Sequence, residues 1–182
     1  MSRRLCALFA LMSILGVILA SVTVPASAAR HGVTITWKGS QGASLGDDIK
    51  KTAHRLGKKA HHDFHNGDCS EYGTFSNRKV TFHTARWPKI DTIFTYNGKV
   101  RLPYGIRVGQ SVGAAQGRLP RRLTWQGPIK EIRRDYSIDI WYAARSRHDL
   151  LMVSSSSGST KVSWAGVFSS KEAIKLYVWE DC

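Results

Sequence analysis

The sequence predicts an α+β fold, with two related helix-plus-antiparallel-sheet units forming one compact domain. Three observations predict it. Leu45-Gly46-Asp47-Asp48-Ile49 is answered 63 residues later by Val108-Gly109-Gln110-Ser111-Val112. Each copy pairs an apolar residue and a Gly with two polar residues, then runs through a short amphipathic stretch to an Arg-Leu exit at Arg55-Leu56 and Arg118-Leu119. Segments of alternating apolar and polar residues follow each copy. Repetition at a fixed spacing fixes architecture before any single residue does, and helices on an antiparallel sheet are the α+β solution.

The first 28 residues read as a cleavable signal peptide. Arg3 and Arg4 precede an apolar run from Leu5 to Ala20, and Pro25-Ala26-Ser27-Ala28 supplies an Ala-x-Ala exit. The run is short for a membrane span, so the mature chain is expected to start at Ala29 in the extracellular space. Its two units are expected at residues 29–103 and 104–182.

Val33 to Trp37 alternates with period two and predicts a strand, and residues 39–44 predict a loop. Ser44 with Asp47 approximates a capping box. Behind it Leu45, Ile49, Ala53, Leu56, Ala60 and Phe64 recur at helical spacing, opposite a Lys/Arg/His face. Gly57 is the expected end, so residues 45–56 carry the helix. Asn66-Gly67-Asp68 predicts a turn. Residues 80–84 alternate as a strand, and residues 90–96 should meet 99–102 in a hairpin across Asn97-Gly98. The second, Gly-rich helix is expected near 111–117. Strands are then expected at 129–132, 137–143, 150–154, 162–168 and 175–179, with the serine run 154–159 as a turn.

Cleavage removes Cys6 and leaves Cys69 and Cys182. Two cysteines in an exported chain predict one disulfide, a free thiol pair or an intermolecular bridge being the alternatives. Closing a loop of that length is worth ~4 kcal/mol in the chain-entropy picture. Cleavage also takes Arg3 and Arg4 and no acid, so 154 residues carry a net charge of +12, down from +14 for the full chain. The bases come in clusters: Lys50-Lys51, Arg55, Lys58-Lys59 with His61 and His62; Arg118 with Arg121-Arg122; and Lys130 with Arg133-Arg134. Such a balance attracts polyanions, an anionic envelope surface or an acidic protein.

The Leu45-Gly46 and Gly105-Ile106-Arg107-Val108-Gly109 steps into short helices are joined by Cys69 near Tyr72 and by a tail from Tyr177 to Cys182. Together these resemble small secreted actinobacterial tandem-repeat proteins, and more widely the β-lactamase inhibitory protein and SmpA/OmlA-like architectures. The resemblance covers roughly residues 40–182, with basicity, the Gly-rich second helix and the missing cysteine pair within each unit as departures. It implies a secreted binding scaffold whose sheet face meets another protein.

His61, His62 and His65, with Asp63 and Asp68, form the sharpest chemical rival. On a continued helix, His61 and His65 would stand at i and i+4 and could chelate a divalent metal for a metal-assisted hydrolase. The alternative is a polar helix end whose histidines complement the helix dipole. His62-Asp63-Phe64 lacks the upstream Gly-rich calcium loop that a phospholipase-type site needs. No spacing selects Glu71, His83, Arg86, Arg133 and His148 as a ribonuclease set, and no Gly-x-Ser-x-Gly elbow exists. The chain is therefore expected not to be an enzyme and to need no small-molecule cofactor and no metal.

Six tryptophans remain. Trp141 and Tyr142 are adjacent on a predicted strand and point to opposite faces, so one ring should leave the core. Trp, Tyr and Arg concentrate binding energy, which makes Tyr104, Arg121, Arg122, Trp125 and Trp141 the candidate partner-binding face. The leading expectation is a secreted binding protein for an extracellular protein, an enzyme inhibitor being one form. The alternative is a polyanion or cell-envelope binder driven by charge, recognisable by its salt dependence.

Overall fold

The computed structural model describes residues 32–63, 72–85, 87–132, 137–171 and 173, all within one compact unit, Gly32–Cys182. A two-residue hairpin, β1 (Gly39–Ser40) with β2 (Ala43–Ser44), leads into helix α1 (Ile49–Arg55). Strands β3 (His61–Asp63), β4 (Tyr72–Asn77), β5 (Val80–Thr84) and β6 (Thr92–Thr95) follow. A 3-10 turn at Pro103–Gly105 precedes helix α2 (Val112–Gln116). Strands β7 (Trp125–Ile132), β8 (Ser137–Ser146), β9 (Asp149–Ser156) and β10 (Trp164–Phe168) complete the order.

The expectation of two helix-plus-sheet units is corrected here. The molecule is mostly β, built on one antiparallel eight-stranded sheet in the order β3-β4-β5-β6-β10-β9-β8-β7. The helices are seven and five residues long, too short to be layers of their own, since isolated helices of that length are unstable without packing. What the echo marks is a pair of matching helix lead-ins. Gly46 and Gly109 hold φ of 89° and 87°, a conformation glycine adopts at little cost. Asp48 then caps α1 by accepting from the Lys51 N–H at 3.0 Å. Ser111 caps α2 by accepting from the Ala114 N–H at 3.1 Å, as the preference for short polar caps requires.

Register shows why the strands run as they do. Phe75, Phe82, Ile93, Val167, Leu151, Ala143 and Trp125 pair in one row from β4 to β7. All but Trp125 are buried, and they carry the main core together with Ile49 and Ala53 of α1 and Val112 and Ala115 of α2. Each large side chain buried there stabilises by roughly 1.5–3 kcal/mol. The opposite face carries a second cluster: Phe94, Ile140, Leu150, Met152, Trp164 and Phe168.

Two apolar faces explain the first of several departures. Trp141 packs against the main core and Tyr142 against the second cluster, so neither adjacent ring is forced out. The helical stripe does not continue through Ala60, because the chain leaves α1 and becomes β3. Residues 99–102 do not return along β6. Asn97 does turn the chain, but Arg101 bridges Thr34 in parallel, with the Ile35 N–H donating to the Arg101 carbonyl at 2.8 Å. The expected strand at 33–37 is reduced to isolated bridges at Thr34 and Ile35. The predicted turn at 66–68 and strand at 175–179 lie outside the described residues. Among the described residues no helix is long and apolar enough to cross a membrane, which says nothing of a β-barrel.

Candidate functional site

Three rings of the predicted partner-binding face are half-buried. Tyr104, at φ 59° in the 3-10 turn, meets Trp37 edge-on at 5.9 Å. Trp125 opens β7, and its indole N–H donates to the Gln116 carbonyl at 3.2 Å. Trp141 stands on β8 on the same face as Trp125, whose cross-strand partner is Ala143 two residues on. All three pack against the main core. Arg121 and Arg122 alone of the five are exposed, in the turn before β7. The structure therefore brings Trp125 and Trp141 to one face and sets Tyr104 against Trp37.

His61 and His62 do not sit on a helix. On β3 they point to opposite sides of the sheet edge, so the helical chelating geometry is corrected. His61 is exposed opposite Thr74, whereas His62 stacks on Trp87 at 4.0 Å with 22° between the rings. Among the described residues no group of three His, Cys, Asp or Glu could hold a metal. His65, Cys69 and Cys182 lie outside the described residues, as does the predicted disulfide.

The arrangement with the most chemistry in it is a basic strip along α1 and β3. Ile49, Thr52 and Ala53 turn inward, so helical periodicity throws Lys50, Lys51, His54 and Arg55 outward. The helix stops at Gly57, whose φ is 66°. The Gly57 N–H donates to the His54 carbonyl at 3.0 Å and the Lys58 N–H to the Ala53 carbonyl at 2.8 Å. That is a Schellman closure, and it turns Lys58, Lys59 and His61 onto the exposed surface beside the helix. His54 and Arg55 in the last turn also complement the negative end of the helix dipole.

Trp87 fixes the underside of this strip. Its ring lies over Gly73 of β4, where a Cβ would come within 2.5 Å of the indole Cζ3. Lys50 Nζ stands 5.0 Å from the ring centroid, a cation–π distance. Sequence reasoning picked out the Lys50–His62 charge cluster. It missed the Gly73 floor, which rests on a strand pairing no local pattern announces.

The electrostatics are one-sided. Every lysine and arginine among the described residues is solvent-exposed. Four carboxylates have internal duties, whereas Asp139 has a buried Oδ1 with no hydrogen-bond partner. Asp47 accepts from the Ser44 N–H at 2.9 Å, and Asp48 caps α1. Asp91 accepts from the Ala85 N–H at 2.7 Å and from the Thr92 hydroxyl at 2.9 Å. Asp149 accepts from the Ser146 hydroxyl at 3.2 Å. Between described residues there is one ion pair, Arg55 with Asp47 at 3.5 Å, and Arg55 also donates to the Gly42 carbonyl at 2.8 Å.

Two other features hold titratable groups. His83, buried on β5, has its pKa pushed down to about 4 by burial. A cleft of about 310 Å³ lies between Lys38, Leu45, Gly46, His148 and Asp149. Its imidazole is engaged, His148 Nε2 accepting from Arg147 Nε at 2.9 Å, and its carboxylate is held by Ser146. No protein-family model, no curated protein and no solved structure matches the chain.

Proposed function

We propose that this is an exported binding protein, not an enzyme, that engages an anionic partner outside the cell. The observation that carries the reading is the division of charge: every described lysine and arginine is exposed, and Asp47, Asp48, Asp91 and Asp149 are occupied by caps, turns and the Arg55 pair. A surface so arranged attracts polyanions without needing a cleft. The packing of Tyr104, Trp125 and Trp141 against the core favours charge over an aromatic hot spot. The signal-peptide pattern of residues 1–28 supports export.

The test is retention of the secreted protein on immobilised polyanion, eluted with salt, alongside the N-terminal sequence of the secreted form. Mature protein starting at Ala29, bound at low salt and released steeply as salt rises, is the expected result. An intracellular, uncleaved product or salt-independent flow-through would reject it.

A second reading keeps a protein partner, favoured by the outer strand β7. Residues 126–130 of this sheet edge are exposed, Ile129 among them at 37%, and the edge begins just after Arg121 and Arg122. A partner held there would survive high salt and be lost on Arg121→Ala with Arg122→Ala.

A further inference from the structure

We infer that the α1–β3 strip is the contact surface and that its ligand is a linear polyphosphodiester. This rests on the reading of the protein as an anion binder and adds the location and the ligand chemistry. Lys50, Lys51, His54, Lys58, Lys59 and His61 are all exposed within one short stretch of chain. Side chains four apart on α1 stand roughly 5–6 Å from each other, a spacing that closely repeated anionic groups can follow. The acids at the head of the helix do not compete: Asp47 is held by Arg55 and the Ser44 N–H, and Asp48 by its capping bond.

The residue types select the ligand class. The strip's one arginine is tied to Asp47 and the Gly42 carbonyl, so its available permanent charges are lysine ammoniums. Ammonium is a compact, strongly hydrated point charge on a flexible stem. Without the fork that grips one carboxylate or phosphate in two places, it favours a chain of charge over a single group. It suits a phosphate backbone, where binding is driven by counterion release and not by shape. No residue of the strip lines the cleft at Lys38 and His148, and sequence-independent capture of a flexible polymer needs no cleft. Lys50 over Trp87, and His62 stacked on the same ring, anchor the strip to β4 through Gly73.

The experiment compares the full mature protein with Lys51→Gln/Lys58→Gln/Lys59→Gln. The control is Lys99→Gln/Arg107→Gln/Lys161→Gln, an equal loss of exposed charge on other segments. The probes are a short single-stranded oligodeoxynucleotide for the phosphodiester, and poly-glutamate and heparin for carboxylate and sulfate. Affinity is read against salt, and circular dichroism verifies that each variant is folded.

Expected is at least a tenfold loss of oligonucleotide affinity in the strip variant. Its slope of log affinity against log salt should fall by about 2, given ~0.7 per single-strand phosphate contact. The control should lose less than half as much, and Lys51→Arg/Lys58→Arg/Lys59→Arg should retain binding. Equal losses in both Gln variants would overturn the location while leaving the anion-binding reading intact. Poly-glutamate or heparin bound as well as the oligonucleotide would overturn the phosphodiester class. Failure of the unmutated protein to bind any of the three would remove the anion-binding reading itself.

Discussion

His83 sits on β5 between Thr74 of β4 and Thr92 of β6, with Tyr72 stacked nearby at 5.8 Å. Burial disfavours its charged form and lowers its pKa from 6.5 to about 4. An unfolded chain takes up that proton near pH 6.5, the folded one only near pH 4. Between those values the unfolded state binds more protons, so stability falls as pH drops through the window and levels off below about 4. The full difference corresponds to ~3 kcal/mol. Urea unfolding at several pH values between 7 and 4 should show this loss. A His83→Asn variant, whatever its absolute stability, should show a flatter dependence by that amount. Parallel curves for the two proteins would mean that the imidazole keeps its ordinary pKa in the fold.

At the scale of elements, α1 is held as much by its ends as by its interior. Gly57 has open space around the position a Cβ would take, so substitution there meets no clash and tests backbone conformation alone. Gly57→Ala is expected to cost about 1 kcal/mol, the left-handed penalty, less a few tenths for the stiffer unfolded chain. Gly57→Asn should cost less, because Asn tolerates that conformation. Thermal melts should rank the native protein, Asn and Ala in that order; an Ala variant as stable as the native would remove Gly57 from the account of how α1 ends. This Gly was legible as a stop, but the cap was expected at Ser44 with Asp47 and the helix from residue 45, whereas the structure caps α1 at Asp48 and starts it at Ile49. Strands β5, β8, β9 and β10 were legible too, because their apolar residues alternate or run unbroken. Strand β4 was not: Tyr72–Asn77 is mostly polar, and only Gly73 and Phe75 are buried. Strand β3 was hidden by Ala60 and Phe64, which happen to prolong the helical stripe. The parallel bridge from Thr34 to Arg101 was illegible in principle, since it joins segments far apart in sequence while Asn97-Gly98 signals a local hairpin.

For the whole molecule, the eight strands read as two meanders, β3 to β6 and β7 to β10, meeting where β6 pairs with β10. A core row that crosses this junction from Ile93 to Val167 makes one cooperative body of them. Around that core, every lysine and arginine among the described residues is exposed, while Asp47, Asp48, Asp91 and Asp149 are held in internal hydrogen bonds. The same division of charge that attracts a polyanion must therefore strain the folded state through self-repulsion. At ~0.01 M salt the Debye length is about 30 Å, comparable with a domain, whereas at 0.15 M it is about 8 Å. Raising sodium chloride across that range should accordingly raise Tm. A polyanion added at low salt should raise it further, by binding the folded state. In 0.5 M salt the polyanion's increment should vanish, because screening and the loss of counterion release act on the same contacts. Should Tm instead fall steadily with salt, attractive ion pairs would outweigh the repulsion, which the single Arg55–Asp47 pair between described residues argues against. Differential scanning calorimetry across the salt series, with and without the single-stranded oligodeoxynucleotide, separates the two outcomes.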